Sequence, residues 1–342
     1  MKSFYKVLET DTLSKASSDI ALLEHGENGH LFSSYRSAVA SVLELVEYNS
    51  HVVAYVDRGG VGYHIFENVR RRTAGLKFTY IDKSDPETIL NAFSDDTALI
   101  WAESIRAPYL QIPDLESVAR IAKEKGAVCI CDNSLATPYV LQPLKFDFDI
   151  VLGNGQSLCA GLDVMEFGYA VVAKEREFLN DKLNFLINAL GSKVGEGGCT
   201  LIETALEDFD KRMATICTNA NELIEFLKSN KNIEAVYLPS VEKHRGTQAV
   251  KDSLDRTSGV ISFRMTGDLE RALNFKQKLM LLDECRNGKS FARKVLHPAS
   301  DLYGAVPAEV RDGLNIPDGL FQLMVGSWNI KELLDDLAQA FN

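Results

Sequence analysis

The sequence predicts an α/β fold, with a large domain on a mostly parallel sheet and a smaller α+β domain at the C-terminus. Three observations point there. From His51 to Asp132, short apolar runs alternate with amphipathic stretches, the pattern of a parallel sheet covered by helices on both faces. Asp and Pro stand where helices should begin, at Asp85-Pro86 and Pro113-Asp114. After Asn230 the pattern changes to short strands with helices beside them.

Taken in order, the expected elements are a strand at His51 to Val56, a glycine turn, a helix at Tyr63 to Arg72 and a strand at Lys77 to Ile81. A helix after Asp85-Pro86, a strand at Ala98 to Ala102 and a helix at Asp114 to Lys125 follow. A buried strand, Ala127 to Cys131, then delivers Asp132 at its C-terminal end, and a Pro-containing connection leads to a second short strand, Phe148 to Leu152. In open α/β sheets ligands sit just beyond such strand ends. Phe167 to Ala173 reads as a further buried strand, and Thr200 to Ser229 as one long helix with apolar residues at helical spacing. In the C-terminal part, strands are expected at Ile233 to Leu238, Val260 to Met265 and Phe321 to Val325, with helices near Leu269 to Leu282 and Lys331 to Phe341. Leu333, Leu334, Leu337 and Phe341 give the last helix one apolar stripe, which reads as core. The division is therefore a short N-terminal segment over 1–20, a large α/β domain over 21–229 and a small α+β domain over 230–342.

With 342 residues, 46% hydrophobic and 25% charged, the chain can bury two cores. A net charge of -11 opposes binding to nucleic acid or to an anionic membrane surface. No apolar run approaches a membrane span and no leader-like segment follows Met1-Lys2, so a cytoplasmic protein is expected. The cysteines at 129, 131, 159, 199, 217 and 285 lie mostly in apolar segments, which suits reduced core thiols. Cys129 and Cys131 lack a second pair at ligand spacing, so no metal is expected.

The segment AVCICDNSLATPYVLQPLKFDFDIVLGNGQSLCAGLD, from Ala127 to Asp163, resembles the cystathionine γ-synthase, cystathionine γ-lyase and O-acetylhomoserine sulfhydrylase family of fold-type I pyridoxal-phosphate (PLP) enzymes. HLFSSYRSAVASVLELVEYNSHVVA is similar to the family's F-S-S-G-M-A-A-I stretch, YHIFENV to Y-R-L-F-E-N-V, and ESIRAPYLQIPDLESVARIAKEKGA to E-T-P-S-N-P-L-L-K-V-x-D-I-x-x-I-A. Near the end, HPAS and IPDGLFQLMVGSWNIKELLDDLAQAF match the region that usually holds R-L-S-V-G. The likeness runs from about residue 20 to 342 and is most specific in the middle third.

The resemblance implies a vestigial cofactor site at Asp132, Ser134, Asn154, Gln156, Ser157, Ser34, Arg36 and Gly59. Asp132 falls where the family's carboxylate pairs with the pyridine nitrogen, and Ser134 where it has a small hydroxyl residue. Asn154-Gly155-Gln156-Ser157 stands in place of S-A-T-K, so Ser157 occupies the Schiff-base lysine position, and no lysine occurs between Lys145 and Lys174. Serine cannot form an imine. Gly59 replaces the stacking tyrosine, Ser34-Tyr35-Arg36 the phosphate-binding S-G-M turn, Ala107 the asparagine of S-N-P, and Gln322 the arginine that clamps the substrate carboxylate. The family's N-terminal arm, with the Y-S-R motif that enters the neighbouring subunit, is also expected to be lacking.

Read without the resemblance, the same residues keep ordinary alternatives. Asp132 is either a ring-nitrogen partner or a carboxylate capping the next turn. Gly59-Gly60-Val61-Gly62 is either a phosphate cradle or a tight turn. Arg36 is either an anion ligand or a solvated or interface arginine. Cys159 is either a reactive thiol or a packed one, Ser157 has no histidine placed to activate it, and His297 reads as a structural loop residue.

The expectation is a degenerate homologue of the transsulfuration enzymes with no covalently bound cofactor, acting as a scaffold, a regulator, or a hetero-oligomer partner of an active paralogue. Two alternatives stand beside it: an enzyme of altered chemistry holding PLP or another anion noncovalently, and an active C–S lyase or γ-synthase acting on cystathionine or O-acetylhomoserine. The resemblance implies a homodimer, with the apolar helix near Ser37 as interface.

Overall fold

The computed structural model describes residues 11–159, 162, 166–241, 256–281 and 295–342. Among them, the strands are β1 (Asn28–Phe32), β2 (His51–Tyr55), β3 (Lys77–Tyr80), β4 (Thr97–Glu103), β5 (Gln111–Ile112), β6 (Val128–Asp132), β7 (Ile150–Asn154), β8 (Gly168–Val172), β9 (Ile233–Tyr237), β10 (Ser240–Val241), β11 (Val260–Met265), β12 (Val295–Leu296) and β13 (Leu320–Met324). The large sheet runs β1-β8-β7-β6-β4-β2-β3. Its five strands from β3 to β7 are parallel, and β8 and β1 join antiparallel at one side. The expected mostly parallel sheet is therefore present, with an antiparallel edge.

Side-chain alternation along each strand divides the core between the two faces of the sheet. Val53, Ile100, Cys129 and Val151 face one layer, where the helix Leu115–Lys125 packs through Leu115, Val118 and Ala122. Val52, Leu99, Trp101 and Ile130 face the other, covered by the helices Tyr35–Val42 and Glu177–Leu190. Asp114 caps the Leu115–Lys125 helix by accepting from Ser117 N, and Gly126 ends it in the left-handed conformation.

A second sheet, β12-β13-β11-β9, is antiparallel throughout. Phe263 and Phe321 stack on it, and Leu333, Leu337 and Ala340 of the helix Ile330–Phe341 close the core over them. This is the smaller C-terminal unit.

Several elements differ from expectation. The helix expected over Thr200 to Ser229 is two, Glu196–Leu206 and Phe209–Ser229. Buried Arg212 bridges the break by donating to Ala205 O at 2.7 Å and Leu158 O at 2.8 Å. The helix at Tyr63 to Arg72 is interrupted by a π-helical stretch, Phe66–Arg70. Helix Asp11–Leu23 crosses the expected boundary at residue 20. His297 is, as expected, a structural residue outside the regular elements: it is fully buried, with Nδ1 bonded to Ser300 Oγ and Nε2 to Asp318 O. Cys129, Cys131, Cys159 and Cys199 are buried and free, Cys217 is half-buried and free, and Cys285 and the far end of the helix expected near Leu282 lie outside the described residues. No described helix is long and apolar enough to cross a membrane.

Candidate functional site

Four adjacent parallel strands of the large sheet end in a polar residue at the same edge. Asp57 stands just beyond β2, Glu103 ends β4, Asp132 ends β6 and Asn154 ends β7. Strand order thus gathers residues far apart in sequence around one cavity of about 200 Å³. Its remaining wall comes from β13, through Gln322 and Met324, and from Leu302.

Asp132 is the hub. Its Oδ1 accepts from Ser134 N at 3.0 Å and from Ser134 Oγ at 2.6 Å, and its Oδ2 accepts from the Tyr35 hydroxyl. Ser134 Oγ in turn accepts from Asn154 N at 2.9 Å, which ties the ends of β6 and β7 together. Asp132 caps its own turn and also faces the cavity. Burial raises its carboxyl above the usual range, against the lowering effect of the Ser134 and Tyr35 hydrogen bonds. Burial, reinforced by the Asp132 charge, holds the Tyr35 phenol well above its ordinary value.

Asp57 and Glu103 form a second pair. Asp57 N donates to Glu103 Oε2 at 2.9 Å, and Asp57 Oδ1 accepts from Gly59 N at 3.0 Å and from the Tyr303 hydroxyl at 3.3 Å. Burial pushes Asp57 up to about 6, with the Gly59 and Tyr303 hydrogen bonds opposing it. Burial, then the charges of Asp57 and Asp132, keep Glu103 well above the carboxylate range. Gly59 is glycine for a steric reason: a Cβ there would meet Tyr303 Cε2 at 2.7 Å. An aromatic ring does reach Gly59, but it comes from Tyr303 rather than from the local turn.

Of the eight residues expected to form the site, Asp132, Ser134, Asn154 and Gly59 line this cavity. Ser34, Arg36, Gln156 and Ser157 do not. Ser34 caps the helix Tyr35–Val42, its hydroxyl accepting from Ser37 N at 3.0 Å. Arg36 is exposed and pairs with Glu166 at 3.2 Å. Gln156 N donates to Asn154 Oδ1 at 3.0 Å in the turn after β7. In that turn, the one-turn helix Gly155–Leu158, a Cβ at Gly155 would meet the Phe167 ring at 2.3 Å, so the chain turns tightly against that ring. Ser157, 4% exposed, is thereby carried into a small void of about 20 Å³ beside Thr137 and Met213, which adjoins the cavity at Ser134, Leu135 and Met324, and its hydroxyl has no hydrogen-bond partner among the described residues. Cys159 is buried and its thiol is pushed up to about 12, the packed form.

Asp57, Glu103 and Tyr303 were not singled out from sequence, and Tyr35 was noted only as the bulky residue within the turn that replaces S-G-M. For Asp57 and Glu103 a signal existed, since each is an acid at or just past the C-terminal end of a parallel strand.

The donor set does not fit pyridoxal phosphate. An aldimine needs a lysine amine, and none of the described residues lining the cavity is Lys, Arg or His. The carboxylate available to a ring nitrogen is already taken by the Tyr35 hydroxyl. The lining holds Asp57, Glu103 and Asp132 and offers no cation of its own to a phosphate dianion.

The profile of the Cys/Met metabolism PLP-dependent enzymes matches residues 2–342. A cystathionine β-lyase of Coxiella burnetii (strain RSA 493 / Nine Mile phase I) is 32% identical over 321 residues, covering 94% of this chain and 83% of that one. A cystathionine γ-lyase of Bacillus subtilis (strain 168) is 32% identical over 318 residues, covering 93% and 83%. Among solved structures, metB from Corynebacterium glutamicum superposes with a TM-score of 0.85 at 26% identity, covering 100% of this chain and 89% of that one. Strand ends, turn sequence and overall likeness agree: the chain belongs to the Cys/Met metabolism PLP-dependent enzyme family.

Proposed function

We propose that this chain is a member of its family that has set aside lysine-dependent cofactor chemistry and serves as a scaffold, a regulator, or the partner subunit of an active paralogue. One observation carries the reading: the Tyr35 hydroxyl occupies the Asp132 carboxylate. Tyr35 stands where the resemblance places a glycine that leaves room for phosphate, so the chain's own side chain now reaches the carboxylate that a ring nitrogen would take. A ligand competing for Asp132 must break a hydrogen bond to a buried charge, about 1.5 to 3 kcal/mol. The Ser157 placement supports the same reading, because the position expected to hold lysine is turned into core.

The noncovalent-anion reading is less well supported. Arg36, Gln156 and Ser157, which it enlists, do not line the cavity, and the residues that do are acidic or neutral. The relatives' lyase activities belong to the proteins so named, and an active lyase here would need an amine from outside the described lining.

The purified chain, mixed with excess pyridoxal phosphate, is expected to show no aldimine absorbance, no borohydride-fixed pyridoxyl peptide, and no release of thiol from cystathionine or turnover of O-acetylhomoserine. A pyridoxyl-lysine found by peptide mass mapping, together with turnover, would sink the proposal. Copurification from the native cell tests the partner role: an active family member in the complex is the expected outcome, and a solitary homodimer speaks against it.

A further inference from the structure

The same cavity has features that the loss of cofactor chemistry does not account for. Asp57, Glu103 and Asp132 come from three neighbouring strand ends and face one space. No described residue lining it is basic. Arg106, outside the lining, lowers Asp57 and Glu103, and burial outweighs it at both.

An independent observation lies on the opposite wall. Gln322 is 3% exposed, yet its side chain makes no hydrogen bond to another described residue. It sits on β13 two positions from Met324, so the strand's alternation directs both to the cavity, while Phe321 and Leu323 enter the core of the small sheet. Its amide therefore presents a donor and an acceptor to the cavity.

We infer that the cavity binds a small protonated organic amine. The ammonium is held by Asp57 and Glu103, whose protons a bound positive charge displaces, the Gln322 oxygen accepts from it or from a second amine, and Ile105, Leu302 and Met324 cover the alkyl body. An extended organic cation fits better than a metal ion. Among the described residues no three acidic, histidine or cysteine side chains converge to hold a metal, so the charges are spread along the wall rather than focused on one point.

The inference rests on the proposed function only in that pyridoxal phosphate does not fill the cleft, so the protein is first shown to lack aldimine absorbance. Isothermal titration of the full chain then uses 1,5-diaminopentane and butylamine, with 1,5-pentanediol, inorganic phosphate and calcium chloride as comparisons. The amines should bind, with the diol and phosphate weaker by about tenfold or more, and Glu103→Gln should weaken amine binding by about tenfold. Gln322→Leu should weaken it by about fivefold while adding apolar wall, which keeps the test decisive if Glu103→Gln fails to fold. Absence of heat and of thermal shift with either amine overturns the inference, as does equal binding of the diol, tighter binding of calcium, or unchanged affinity in the folded variants. An aldimine band at the first step would instead strike the proposed function.

Discussion

Strands β6 and β7 are parallel neighbours ending at the same edge of the sheet, yet the chain treats the two ends differently. The β6 end stays open and polar. Asp132 faces the cavity, held by Tyr35 and Ser134, and behind it Asn133 Nδ2 donates to Leu141 O at 2.8 Å and to both oxygens of buried Glu24 at 3.2 Å. At the β7 end Asn154 reaches the cavity, but the turn beyond it is closed. Gly155 presses on Phe167, Ser157 points into a small void, and Arg212 ties the Leu158 carbonyl from below. The contrast teaches that neighbouring strand ends can be built differently: the carboxylate end keeps its donors and acceptors toward the cavity, while the turn after β7 packs its side chains inward.

Forcing the two ends to be alike should have the largest effect. Ser157→Lys would bury an ammonium in a void whose lining holds no carboxylate. The expected loss is about 3 kcal/mol or more in urea unfolding, without an aldimine band on adding pyridoxal phosphate. A stable variant that forms the band breaks the contrast.

Next comes the support behind β6. Burial raises Glu24 from its ordinary 4.5 to about 8, against the hydrogen bonds of Tyr169 and Asn133. The folded chain then holds a proton that the unfolded chain releases. Stability is full below 4.5 and falls as pH rises towards 8, by up to about 1.4 kcal/mol per pH unit. Glu24→Gln should flatten this slope by about 1 kcal/mol per unit, measured by chemical unfolding at pH 5, 6.5 and 8. An unchanged slope would show that Glu24 is charged in the folded chain. Asp57, raised to about 6, contributes with the same sign over a lower range.

Tyr35→Phe sharpens the contrast more finely. Loss of the hydroxyl leaves Asp132 with Ser134 alone among its side-chain donors, a cost of about 2 kcal/mol. A change under about 0.5 kcal/mol would mean that the Tyr35 contact is idle. The smallest effect is expected at Arg36→Ala. Its ion pair with Glu166 is exposed on both sides, so stability should move by less than about 0.5 kcal/mol and ligand binding not at all.

Much of the large sheet was legible because β2, β4, β6 and β8 are dense in Val, Ile and Ala flanked by turn residues. Strand β1, Asn28–Phe32, escaped because NGHLF has no β-branched residue, and it exists as a strand only through antiparallel pairing with β8. The break between the helices Glu196–Leu206 and Phe209–Ser229 was hidden because apolar spacing carries across it. In the site, Asp132 and Ser134 could be read because the resemblance is local and contiguous there. Tyr35 could not: its partner lies 97 positions away, and no local pattern tells which way a residue opening a helix will reach. The inward turn of Ser157 was equally opaque, since it depends on the Phe167 ring against Gly155.

The contact of Tyr303 with Gly59 and Asp57 spans 246 positions of chain. A loop of that length must close before the contact gives anything back, so this wall is among the last parts of the molecule to gain from folding. The cleft is therefore assembled late: during synthesis the strand ends that carry Asp57 and Glu103 stand open until Tyr303, 246 positions after Asp57, has left the ribosome.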